Sequence, residues 1–153
     1  MDRLFKDNLI KVRKVESVIN KNLFFICVTV TVIVMTIFTV EFFSRGAFSP
    51  SRMGFFYIGV LFIYTVHKEM LRWLEEKRVE RQGEAFLYSW IGLTTLFYVI
   101  NFFTKDYYCV SPNGNSLTCM LEVTIVTLQV AVIFILARLS KILKIILARE
   151  KKS

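Results

Sequence analysis

The chain has 153 residues, a net charge of +8, and a composition that is 55% hydrophobic and 15% aromatic. That length allows one domain, and the apolar content is high for a soluble protein of this size. The charge does not point to nucleic acid, because no basic run carries the interleaved aromatics of a strand-binding surface.

Apolar residues segregate into blocks instead of mixing with charges at helical spacing. Residues 1–22, ahead of the first block, read as a basic amphipathic helix: Phe5, Leu9, Val12, Val15 and Ile19 share one face, and Arg3, Lys6, Arg13, Lys14 and Lys21 gather on the other. No signal-peptide pattern is present, so the first apolar helix is expected to stay in the mature chain. Residues 23–43 form the first expected span, with one charge, Glu41.

The second block, 53–66, is uncharged but short; continued to Leu71 it approaches spanning length, with Arg52 and Lys68 snorkelling at its ends. Counting basic residues decides for a crossing. With four spans, the inner segments carry six, five and six Lys or Arg, and the outer loops two and one. Without the second crossing the split is seven against thirteen, so the positive-inside rule favours four spans with both termini cytoplasmic.

The connection 72–84 is expected to be a cytoplasmic helix grazing the bilayer. Met70, Leu71, Trp73 and Leu74 lie together and Lys77, Arg78 and Arg81 continue that face toward the phosphates, with Trp73 as an interface anchor. Residues 85–104 are the third span, within which Thr94, Tyr98 and Asn101 share a face. Residues 105–119 form an outer loop closed by Cys109 and Cys119 around an Asn113–Gly114 turn signal. On an oxidising face of the membrane the pair is expected to form a structural disulfide. The spacing is not the C-x-x-C of thiol oxidoreductases, and two cysteines without a histidine do not make a zinc site.

Residues 120–137 are the fourth span. Glu122 and Gln129 share a face across Val126, and with Glu41 and Asn101 they form the candidate intramembrane polar site. Such groups serve either as rim contacts and helix glue or as the mouth of an oligomeric pore. Residues 138–153 repeat the basic amphipathic pattern, Leu139, Ile142, Leu143 and Ile146 opposing Lys141, Lys144 and Lys151. Lys141 and Lys144 are therefore placed at anionic headgroups. Cys27 reads as a packing residue and His67, the sole histidine, as an interfacial one.

No phosphate loop, H-E-x-x-H or G-x-S-x-G motif is present. The expected fold is an all-α, four-transmembrane-helix bundle, with cytoplasmic interfacial amphipathic helices and a disulfide-closed extracytoplasmic hairpin. The expected function is that of a small multi-pass protein of the plasma or inner membrane, non-enzymatic and without cofactor. Its partners would be the lipid bilayer with its anionic headgroups, and either copies of itself or other membrane subunits; nucleic acid is not expected. A channel or transporter subunit and a membrane thiol oxidoreductase are the alternatives.

Overall fold

The computed structural model of the chain describes residues 2–48, 53–73, 83–111 and 117–150. They form four α-helices: α1 (Asp2–Phe43), α2 (Met53–Trp73), α3 (Gly83–Phe103) and α4 (Cys119–Glu150), with a 3₁₀ turn at Tyr107–Cys109 between the last two. Three of them contain stretches long and apolar enough to cross a membrane: Val18–Phe43, Glu84–Phe103 and Cys119–Leu147.

Two expected boundaries disappear. The segments 1–22 and 23–43 are continuous in α1, and 120–137 runs into 138–150 without a break in α4. Neither helix contains a glycine or proline, so nothing in the backbone ends it where the chemistry changes from charged to apolar. At 42 residues α1 is about 63 Å long, roughly twice the hydrocarbon thickness of a bilayer.

The buried positions recur at alternating spacings of four and three: Cys27, Thr31, Val34 and Phe38, with Glu41 and Phe42, in α1; Tyr57, Leu61, Tyr64, Lys68 and Leu71 in α2; and Cys119, Val123, Val126 and Val130 in α4. In α3, Phe86, Trp90 and Phe97 are buried, and the partly buried Leu93 completes the rhythm. A 3.5-residue repeat keeps one seam of each helix facing its neighbours, as in left-handed four-helix bundles. α1 packs along α2, α2 along α4 and α4 along α3, with α1 also touching α3 and α4.

Aromatic side chains fill the seam in three layers. Phe24, Tyr64 and Phe86 meet at one level, with ring centroids 6.0–6.1 Å apart. At the centre the Trp90 indole N–H donates to the Tyr57 hydroxyl at 2.8 Å, the Thr31 hydroxyl lies 3.4 Å from the same oxygen, and Phe38 meets Trp90 edge-on. At the third level Phe42 stacks on Phe97 with centroids 4.4 Å apart, and Tyr108 covers Phe42.

α2 falls outside the three apolar stretches because His67, Lys68 and Glu69, together with its tyrosines, lower its hydropathy. Its Tyr57, Tyr64 and Lys68 point into the bundle, while Phe55, Phe56, Phe62, Ile63 and Val66 point outward. Lys68 is 8% exposed and donates to the Tyr64 hydroxyl at 3.3 Å, so it does not snorkel as expected. Position 68 continues the Leu61–Tyr64 seam, and the helix carries its side chain inward.

Helices α1 and α3 end alike. Arg45 and Lys105 take left-handed backbone angles, φ 55° and 52°. The next residue returns its N–H five positions back, Gly46 to Glu41 O at 3.2 Å and Asp106 to Asn101 O at 3.0 Å. Both are Schellman caps. The two caps are linked, since Arg45 Nε donates to Val110 O at 2.9 Å and its guanidinium lies over the Tyr107 ring. Gly46 has φ 77°, and a Cβ there would meet a Leu117 methyl at 2.5 Å.

Replacing Tyr57 by Phe leaves the buried Trp90 N–H without its acceptor. Detergent-solubilised Tyr57→Phe is expected to lose about 1–2 kcal/mol in denaturant unfolding. Tyr98→Phe, at an exposed bond, is expected to lose less.

Candidate functional site

Polar groups collect at two places, the end of the bundle that carries the caps and the opposite end, where α2 and α4 finish. At the capped end α4 is preceded by Thr118, whose carbonyl accepts the Glu122 N–H at 2.9 Å and whose hydroxyl reaches Glu122 Oε1 at 3.3 Å. Glu122 thus sits in the first turn of α4, where a carboxylate suits the positive end of the helix dipole. Glu41 is 3% exposed on α1, and both carboxylates lie within electrostatic reach of Cys119. Gln129 is half-buried one face-turn below Val126.

The expected disulfide does not form: Cys27, Cys109 and Cys119 are all free thiols. The Leu117 N–H donates to Cys109 O at 2.8 Å, so the loop closes on Leu117, two residues short of Cys119. Cys119 is then the first residue of α4, in the seam, with its thiol 3.9 Å from Phe38 O. Helix phase, which sequence spacing does not report, places this sulfur in the core. The turn signal at 113–114 lies outside the described residues.

Cys109 ends the 3₁₀ turn beside Asp106 and Asn101. Burial pushes its thiol up, the Asp106 carboxylate adds to this, and a hydrogen bond with Asn101 opposes it. Asn101 Nδ2 donates to Asp106 Oδ1 at 2.6 Å, tying the end of α3 to the loop. The face shared by Thr94, Tyr98 and Asn101 is therefore an adhesive one. Thr94 bonds Thr127 at 2.7 Å and Tyr98 bonds Thr124 at 3.0 Å, stitching α3 to α4.

At the opposite end Trp73 is exposed, and its indole N–H donates to Ser140 Oγ at 3.1 Å. Arg138 pairs with Glu84, joining α4 to the start of α3. Lys141 and Lys144 are half-buried, while Leu139, Ile142, Leu143 and Ile146 between and beside them are exposed. Lys77, Arg78 and Arg81 lie outside the described residues. Above the Trp73–Ser140 bond an open apolar groove of about 480 Å³ runs between α2 and α4, walled by residues from Phe62 to Trp73 and from Ile133 to Ala137.

Sequence reasoning did not find this groove, the Thr31–Tyr57–Trp90 group or the burial of Lys68. The 4–3 spacing of tyrosine and lysine in α2 was the available signal for the last two; the groove has no linear signature. Among the described residues, no group of three or more His, Cys, Asp or Glu is arranged to hold a metal ion. Comparison with known proteins finds no matching family model, no matching curated protein and no matching solved structure.

Under denaturing, non-reducing conditions, alkylation should add three groups to the intact mass, one per thiol. In the folded protein a maleimide should modify Cys109 alone, since Cys27 and Cys119 are buried. Its thiol is held above the ordinary value, so the rate should still be rising at alkaline pH. Asp106→Asn removes a charge that disfavours the thiolate and should speed labelling several-fold at pH 8.

Proposed function

We propose that this chain is a non-enzymatic, four-span integral membrane protein that acts by assembly, as a homo-oligomer or as a small subunit of a membrane complex. The observation that carries the reading is the polarity of the bundle. Its outer surface is apolar: Phe25, Phe55 and Phe102 are 71–79% exposed, and large aliphatic side chains surround them along all four helices. Hydroxyls on the outer faces are answered within their own helix, Thr29 by Phe25 O at 3.0 Å and Thr36 by Val32 O at 2.8 Å, as hydrocarbon surroundings require.

The outward aromatic face of α2 supports counting it as a fourth crossing. Four crossings place 105–119 outside and both termini in the cytoplasm, in keeping with the basic inner segments. The start of α1 and the end of α2 then lie on the cytoplasmic side with the end of α4. The interhelical polar groups are bonded to one another across α3 and α4 and across α1, α2 and α3, which favours an adhesive role over a conducting or catalytic one. The loops between spans leave little soluble mass for independent work, which favours association.

Two measurements test this. A membrane-impermeant maleimide added to intact cells should label Cys109, while a reporter fused to Ser153 stays inaccessible; the reverse result overturns the topology. Native mass spectrometry from mild detergent should show a discrete oligomer or a co-purifying subunit, and a strict monomer without partner overturns the assembly reading.

A further inference from the structure

We infer that the groove between α2 and α4 holds one acyl chain of an anionic phospholipid from the inner leaflet, with the lipid phosphate at Lys141. The inference rests on the membrane reading above but not on oligomerisation.

Three features point to that occupant. First, the lining residues of α2 run from Phe62 to Trp73, about 17 Å of helical rise. That is close to half of a bilayer's hydrocarbon core of about 30 Å. The groove therefore spans a single leaflet's depth, whereas a helix from a second copy would follow the bundle along its whole length. Second, its volume of about 480 Å³ falls in the range of small-ligand pockets, and its walls are aliphatic and aromatic. The carboxylate on the lining, Glu69, is already engaged within the protein and does not stand as a bare charge against the ligand.

Third, the cations continue the wall. Ile133 and Ala137 line the groove on α4, and Lys141 is the next residue on that stripe, one turn on. The Trp73–Ser140 hydrogen bond closes the groove at that level, so a chain leaving it meets Lys141 where a headgroup would lie. Lys144 lies about one turn farther from Ala137, so Lys141 is the cation nearer the groove. A tryptophan at the end of an apolar slot is also suited to the interface, with its ring among chains and its N–H at the polar boundary.

Trp73 reports the occupant directly, because the second tryptophan, Trp90, is fully buried and gives a lipid-independent background. The full chain is reconstituted in phosphatidylcholine nanodiscs, and phospholipids brominated near the headgroup end of one acyl chain are titrated in. Brominated phosphatidylglycerol should reach half-maximal quenching at a mole fraction about fivefold lower than brominated phosphatidylcholine, the preference expected of one basic residue at the phosphate. Trp73→Phe should abolish the quenching, and Lys141→Gln should bring the two lipids together.

Equal quenching by the two lipids in the unmodified protein overturns the inference, since ordinary boundary lipid would suffice. Unquenched Trp73 also overturns it, because protein then fills the groove. Vesicle flotation is run alongside: a chain that does not float fails the membrane reading itself, whereas a chain that floats without lipid preference fails only the groove.

Discussion

A helix bundle with an apolar exterior gains little from bringing apolar faces together, because lipid tails already solvate them. What remains to hold such a bundle is close packing and the hydrogen bonds made between helices. This chain concentrates both in its seams. Trp90, Tyr57 and Phe38 interlock at the centre, and the indole N–H, a fully buried donor, finds its acceptor on a different helix. The Tyr57 oxygen also draws Thr31 from α1, so one hydroxyl links three helices.

The same constraint explains where polar residues stand. In water, Lys68, Glu41 and the seam tyrosines would be surface residues. Here the inside of the bundle is the more polar choice, and the 3.5-residue repeat delivers them to it. The tail of α4 continues the pattern: its half-buried positions are Ser140, Lys141 and Lys144, while its leucines and isoleucines face out. Lys141 falls on the stripe of Ile133 and Ala137, which line the α2–α4 groove, and this connects the packing rule to the proposed lipid contact.

At the capped end the described loop residues are tied into the fold. Two Schellman caps are joined through Arg45, and the loop after α3 folds back as far as Leu117, which packs on Gly46. The Leu117 N–H bond to Cys109 O spans the loop that a disulfide was expected to close, and a cation over a ring and a Tyr108–Phe42 stack tie that loop to α1. Cys109 is left at the surface of this assembly and Cys119 beneath it.

Sequence alone determined the helical class, the apolar stretches in residues 23–43, 85–104 and 120–137, and the shared face of Thr94, Tyr98 and Asn101. These follow from composition and from a periodicity of known length, and local rules govern both. Tertiary structure decided the rest. The phase of α4 turned Cys119 into the core, whereas the run of α1 and α4 past the boundaries suggested by charge was already written in their lack of glycine and proline. The partner of Trp73 and the groove between α2 and α4 depend on residues 60 to 75 positions apart in the chain. No spacing within a single segment records how two helices are rotated against each other, and that rotation alone determines which side chains meet.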